Sequence, residues 1–285
     1  MIVKAPAKIN LYLEILNKRQ DGYHNIESVM HTVSLFDILE FEPMEENKIE
    51  LICLGNADLS NDKNNLVYKA VMKFREQYNI NKGIKIKLTK NIPTGAGLGG
   101  GSSDAAATLV ALNKIWNVNT DIKQLELLGA KLGADVPFFI TGGTAKISQI
   151  GNVVEKLKSN LNLSFILVNP NFGVSTAYAY SKIKFPLTNA QKINTITEVI
   201  TKGKFNVKDA GGLFFNRFEE VVFDEYPQIK QIKETLDGLG CVSLMSGSGA
   251  TVFGLVKDVN KVSYILDELK KYNWSVWLAN SVESL

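Results

Sequence analysis

The sequence predicts a two-domain α+β protein. Three observations carry that expectation. The 285 residues exceed what one hydrophobic core usually organises. Strand-like and helix-like stretches are mixed without a regular βαβα rhythm. Hydrophobic residues make up 45% and charged residues 21%, the balance of a packed globular chain rather than a disordered one.

From Ile9 to Ile15 the chain alternates. Ile9, Leu11, Leu13 and Ile15 share one face, and Asn10, Tyr12 and Glu14 share the other, which predicts a half-buried strand. Lys8 falls on the face of Asn10, so ammonium and amide should point together. Asp21-Gly22 marks a turn. Strands are predicted at Asp37–Glu42, Lys48–Leu54 and Gly83–Thr89, with a helix over Leu66–Gln77. In the last strand Ile84, Ile86 and Leu88 should face inward. Ala105, Leu109, Leu112 and Trp116 recur at helical spacing after a glycine-rich stretch. Asp121–Leu132 reads as another helix, and Gly143–Ile150 and Val153–Leu157 as a strand pair.

The second half reads as a distinct unit. It has a strand at Ser164–Val168, a helix capped by Ser175, and helical stretches near Ala190–Thr201, Leu213–Phe223 and Ile229–Leu236. A strand–loop–strand spans Cys241–Leu255, followed by a helix at Val259–Tyr272 and a strand at Trp274–Ala279. The domain boundary is placed before Lys158-Ser159-Asn160, giving units 1–157 and 158–285.

The strongest chemical signal is Pro93-Thr-Gly-Ala-Gly-Leu-Gly-Gly-Gly-Ser-Ser103. Five glycines between Gly95 and Gly101 leave a backbone free to turn its N–H groups inward as anion donors. A helix beginning near Ser103 points its positive end into this loop. Phosphate needs such features. The competing reading is a flexible linker, which would not sit between a patterned strand and a patterned helix. The loop lacks the lysine of a Walker A motif. Gly95, Gly97 and Gly100 make a formal GxGxxG, but Thr89–Pro93 separates it from the preceding strand and no ribose-binding acid follows a second strand.

Other features bound the function. A net charge of +3 is too mild for a nucleic-acid partner. Cys53 and Cys241 form no CxxC, which fits reduced thiols and a cytoplasmic protein. The first eight residues lack the apolar centre of a signal peptide, and no apolar run has the length of a membrane span. His31 has no motif around it and reads as structural.

The motifs together resemble the GHMP kinases. Pro93–Ala106 resembles that family's central signature, Ala5-Pro-Ala-Lys-Ile-Asn-Leu11 its first motif, and Ser246-Gly-Ser-Gly-Ala250 its third. They occur in order and cover most of the chain. The resemblance implies a two-domain GHMP kinase fold. Its N-terminal domain would be ribosomal-protein-like, its C-terminal domain ferredoxin-like, and its active site would lie in the cleft between them. ATP and Mg²⁺ are implied as cofactors. Pro6–Leu11, Asp21-Gly-Tyr-His24 and Leu132-Gly-Ala-Asp-Val-Pro137 are similar to a branch of the family acting on a small molecule, a cytidine-diphosphate-linked polyol.

On this resemblance Asp135 accepts the substrate hydroxyl proton, and Lys8 is its partner, since an adjacent ammonium favours a charged carboxylate. Without the resemblance, a helix cap is the competing reading of Asp135, and a solvated strand-end lysine is the favoured reading of Lys8. Asn10 would orient the hydroxyl. Pro93, Gly95, Gly97, Leu98, Gly99, Gly100, Gly101, Ser102 and Ser103 would hold the nucleotide, with Ser102 or Ser103 touching the metal. Asn65 and Leu66 would line the nucleotide site, or Asn65 would cap a helix. Tyr23, His24 and Tyr180 would form a cytosine pocket, two rings stacking on the base and a histidine bonding its edge. Gly247 and Gly249 would add backbone donors near the substrate phosphates. Rival readings are a family member acting on mevalonate, homoserine or a sugar, a non-catalytic relative, and an RNA-binding protein of similar fold.

Overall fold

The structure, a computed structural model, describes residues 1–55, 60–159, 161–184 and 191–283. Two stretches of the sequence reading, Asn160 at the domain boundary and Ala190 at a helix start, lie outside the described residues.

The first half is built on a mixed sheet. It contains β1 (Ile2–Lys18), β2 (His24–Met44), β3 (Ile49–Leu54), β4 (Gly83–Thr89), β5 (Thr144–Ser148) and β6 (Val153–Lys156). The main path runs β3-β4-β2-β1, with β5 pairing the other end of β2 and β6 pairing β5. The helices are α1 (Leu66–Tyr78), α2 (Gly100–Ile115), α3 (Ile122–Ala130) and α4 (Val136–Thr141). Helices α1 and α2 cover one face of the sheet through Phe74, Leu109, Leu112 and Trp116, which share a core with Ile84, Ile86 and Leu88. The inward set predicted for β4 is the observed one.

The second half adds β7 (Ser164–Asn169), α5 (Thr176–Lys182), α6 (Gln191–Thr201), α7 (Ala210–Leu213), β8 (Phe215–Asn216), α8 (Glu219–Glu225), α9 (Pro227–Gly238), β9 (Val242–Met245), β10 (Val252–Leu255), α10 (Val262–Leu269) and β11 (Ser275–Asn280). Its antiparallel sheet runs β11-β7-β10-β9. One face packs Ile166, Val168 and Val252 against Ile229, Ile232, Leu236 and Ile265 of the helices. The other packs Phe165, Leu167 and Phe253 against Ile9 and Leu11 of β1. This is the α+β architecture the sequence predicts. No helix of the described residues is long and apolar enough to cross a membrane.

Three expectations are corrected. Strand β1 is buried on both faces from Ala5 to Ile15, not half-buried, because α2 covers one side and the second sheet the other. Strand β2 begins at His24 rather than Asp37. Its first part hides polar residues whose hydrogen bonds are made internally. Ser28 donates to the Tyr12 carbonyl at 2.5 Å, and Thr32 lies 3.3 Å from the Gly143 carbonyl it bonds. The helix predicted over Leu213–Phe223 is broken. Residues 215–216 instead form β8, parallel to β1, with Tyr12 opposite Phe215 and Leu13 opposite Asn216. A buried ion pair fixes that break: Arg217 Nε and Nη2 each donate to Glu14 at 2.7 Å.

His31 sits in β2, buried, its ring nitrogens 2.9 Å from Thr144 Oγ1 and 2.8 Å from Ser281 Oγ. Burial pushes its pKa down from 6.5 to about 4. The unfolded chain protonates the ring at its ordinary value. The native state's advantage is therefore complete above pH 6.5 and is lost as pH falls toward 4. The loss should reach about 3 kcal/mol. Urea unfolding of wild type and His31→Gln at pH 7 and pH 4.5 checks this, because the variant should show a shallower acid dependence.

Candidate active site

Lys8 lies midway along β1 and is almost wholly buried, because the glycine loop closes over it. Its N–H donates to the Leu98 carbonyl at 3.0 Å. Its Nζ donates to Asn10 Oδ1 at 2.6 Å, so the shared face expected of these residues is observed. Asn10 Nδ2 in turn donates to Ser28 Oγ at 2.8 Å. The amide is thus held with its oxygen toward the ammonium. Burial pushes the Lys8 pKa down, and the charge of Asp135 opposes that shift.

Asp135 stands at the start of α4, where Pro137 fits the first turn. A capping carboxylate would accept a backbone N–H there, but the Asp135 side chain makes no such bond. Its carboxylate lines the cavity instead, with Oδ2 3.9 Å from Lys8 Nζ.

The glycine loop crosses the cavity's other wall. Gly97 has φ +77°, and a Cβ there would lie 2.0 Å from the Ser246 carbonyl oxygen. Gly99 has φ +71° at the N-cap of α2, and a Cβ there would lie 2.8 Å from the Phe139 ring. Helix α2 begins at Gly100, three residues before the expected start at Ser103. No side chain caps it, so its first-turn N–H groups are left for an anion. The loop is tied to the Ser246–Gly249 turn: Ser246 Oγ donates to the Gly97 carbonyl at 2.9 Å, and Thr251 N–H to that of Ala96 at 3.2 Å. Gly97→Ala should therefore separate the two turns. We expect a stability loss of about 2 kcal/mol or more, measured by denaturant titration.

These elements enclose about 310 Å³ lined by Lys8, Asn10, Leu66, Pro93, Gly95, Gly97, Gly99, Gly100, Gly101, Ser102, Asp135 and Gly247, among others. A second hollow of about 680 Å³ is lined by Tyr23, His24, Asp135, Thr176 and Tyr180, among others. The two hollows share Ile26, Asp135, Thr176 and Tyr180. They form one cleft with Asp135 at the junction.

Some predicted residues stand elsewhere. Ser103 is fully buried and its Oγ has no hydrogen-bond partner, so only Ser102 of the two serines lines the cleft. Leu98 is also fully buried and contributes only its carbonyl, bonded to Lys8. Asn65 caps α1 by accepting from Val67 N–H at 2.9 Å, and does not line the cleft. Gly249 lies outside the lining, where Gly247 and Ser248 represent their turn.

The aromatic pocket differs in its pairing. His24, not Tyr23, stacks on Tyr180, with centroids 4.7 Å apart and planes inclined by 14°. Tyr23 is 62% exposed on the rim. Tyr180 also meets Phe218 edge-on at 4.9 Å. Burial, with the nearby Asp135 charge, pushes the Tyr180 hydroxyl up to about 12.

Sequence reasoning missed Thr176, Phe218 and Asn216. Asn216 Nδ2 donates to the carbonyls of Met245 (2.6 Å) and Gly247 (2.8 Å), which positions the third glycine turn. The polar pair Asn216-Arg217, directly after Leu213-Phe-Phe215, was the available signal.

A glycine-lined anion cradle faces a lysine–carboxylate pair, and the chain matches the profile "GHMP kinases N terminal domain" over residues 65–143 and "GHMP kinases C terminal" over residues 205–273. The chain belongs to the GHMP kinases. It is 41% identical over 274 residues to the 4-diphosphocytidyl-2-C-methyl-D-erythritol kinase of Bacillus cereus (strain B4264), covering 95% of this chain and 93% of the relative. The enzyme of that name from Bacillus anthracis (strain CDC 684 / NRRL 3495) is 42% identical with the same coverage. A crystal structure of 4-(cytidine 5'-diphospho)-2C-methyl-D-erythritol kinase superposes with a TM-score of 0.80 at 30% identity, covering 98% of both chains. A homoserine kinase from Cytophaga hutchinsonii shares the fold, with a TM-score of 0.78 at 18% identity over 99% of this chain and 94% of that one.

Proposed function

We propose that the protein is an ATP-dependent kinase that phosphorylates the 2-hydroxyl of 4-diphosphocytidyl-2-C-methyl-D-erythritol, a step of non-mevalonate isoprenoid precursor synthesis. The observation that carries this reading is the single cleft with Asp135 and Lys8 between the glycine loop and the aromatic hollow.

The glycine loop and the α2 N-terminus hold the ATP phosphates, because N–H groups and helix dipole favour anions there. The uncapped turn and the glycines that admit no Cβ fit such a group. Magnesium is usually held by one or two carboxylates together with substrate phosphates, and it supplies charge neutralisation when bound. Ser102 is the hydroxyl at that end of the cleft. Asp135 takes the proton of the attacking hydroxyl. The new O–P bond forms to the γ-phosphorus as the bond to the ADP oxygen breaks. Lys8 supplies positive charge to the oxygens, and Asn10 orients the hydroxyl. Transfer of this kind depends chiefly on positioning and charge neutralisation.

Tyr23, His24 and Tyr180 bind the cytosine, with the base entering beside or between the His24 and Tyr180 rings. Tyr23→Ala should raise the Michaelis constant for the cytidyl substrate roughly fivefold or more and leave that for ATP unchanged. Equal effects on both would contradict the assignment. The reading as a whole is tested by ADP release with the cytidyl substrate, mevalonate or homoserine. Release should depend on the cytidyl substrate alone.

A further inference from the structure

Beneath the glycine loop lies a cluster of charges that the chemistry above does not use. Lys90 follows β4 and is buried, as are Asp37 in the middle of β2 and Asp104 in the first turns of α2. Lys90 Nζ donates to both carboxylates, Asp37 Oδ2 and, at 2.7 Å, Asp104 Oδ2. Asp37 uses its other oxygen on the backbone, accepting from Asn91 N–H at 2.6 Å and Ile92 N–H at 2.9 Å. Those two residues immediately precede Pro93, where the loop begins. Asp104 immediately follows Ser103, where it ends.

We infer that Asp37, Lys90 and Asp104 form a buried clamp on both ends of the glycine loop, and that Lys90 is a positioning residue for ATP rather than a ligand of its phosphates. The inference rests on the reading of the cleft as an ATP site.

The direction of the Lys90 ammonium supports this assignment. The residue lines the cleft, yet its Nζ is committed to two carboxylates on the far side of the loop. It also sits close under Gly100, where a Cβ would lie 3.1 Å from Nζ and 3.0 Å from Ile92 Cγ2. The clamp therefore sets the height of the first helical turn, whose N–H groups face the phosphates. Removing one member breaks more than one bond. Without Lys90 two carboxylates face each other in a buried space. Without Asp104 the lysine loses its tie to α2 and the helix start is released.

One oxygen of the cluster has no partner, Asp104 Oδ1. Burial, opposed by Lys90 and reinforced by Asp37, raises the Asp104 pKa. An amide of the same shape keeps an acceptor for Lys90 and removes only the charge, which makes Asp104→Asn the conservative variant.

Steady-state kinetics of the full chain provides the test. Asp104→Ala should raise the Michaelis constant for ATP about tenfold, leave that for the cytidyl substrate unchanged, and be rescued by Asp104→Asn. Lys90→Met should raise the ATP constant similarly, and the double variant should be no worse than the more impaired single one. An unchanged ATP constant in Asp104→Ala would overturn the inference. So would multiplying effects in the double variant, the pattern of a lysine that binds phosphate directly. Hydrogen exchange on the unaltered protein gives a second measurement that survives misfolded variants. The Asn91 and Ile92 amides should exchange as slowly as those of β4, and fast exchange there would overturn the clamp. Wild-type turnover with the cytidyl substrate reports on the ATP reading separately from either outcome.

Discussion

Asp135→Asn should lower kcat by roughly 10²–10⁴-fold while changing ATP affinity by less than about twofold. The side chain makes no capping bond to α4, so the substitution leaves the helix start intact and removes only the charge facing Lys8. Asparagine keeps the volume and loses the ability to take a proton. The carboxylate sits at the junction of the two hollows, whereas the proposed phosphate donors are backbone N–H groups of the glycine loop and α2. Chemistry and ATP binding should therefore separate cleanly. Rapid-quench kinetics and equilibrium ATP titration make the comparison. Near-normal turnover would remove Asp135 from the role of proton acceptor.

Lys8→Met should cost a comparable factor, on the order of 10²–10³ in kcat, for an electrostatic reason. The ammonium is buried, donates to Asn10 at 2.6 Å and lies 3.9 Å from Asp135. Charge in such a dry site acts far more strongly than in water. Methionine fills the same space without it, so the fold should hold and unfolding midpoints should differ little. The pH profile offers a second readout. Burial lowers the Lys8 pKa from 10.5, so the charged form is lost as pH rises through that lowered value. The alkaline limb of kcat should lie below 10.5 in wild type and be absent from Lys8→Met. A variant as active as wild type would show that the positive charge at the transferred phosphoryl group comes from elsewhere.

Much of this site was legible because its residues are local in sequence. The glycine loop declares its function by composition, since few other roles need five glycines before a patterned helix. Lys8 and Asn10 were paired correctly by the two-residue period of a strand. What was missed depends on contacts across the chain. Lys90 looks like an ordinary solvated lysine after a strand, and only the fold brings Asp37 and Asp104 to it. Asn216 is hidden in a stretch that reads as helix, because its bonds reach residues 29 and 31 positions away. Ser102 and Ser103 are neighbours in a motif, yet the turn of α2 sends only the first to the cleft. The stacking of His24 on Tyr180 joins segments more than 150 residues apart, and no local pattern selects that pairing over Tyr23.

The central claim is that the two hollows bring ATP and a cytidyl polyol together over Asp135. Phosphorus NMR of the reaction mixture tests it most directly. The account predicts one new phosphomonoester on the 2-hydroxyl of 4-diphosphocytidyl-2-C-methyl-D-erythritol for each ADP formed. Both signals should be lost together in Asp135→Asn. ADP appearing without that ester, or with the phosphate on a different hydroxyl, would contradict it.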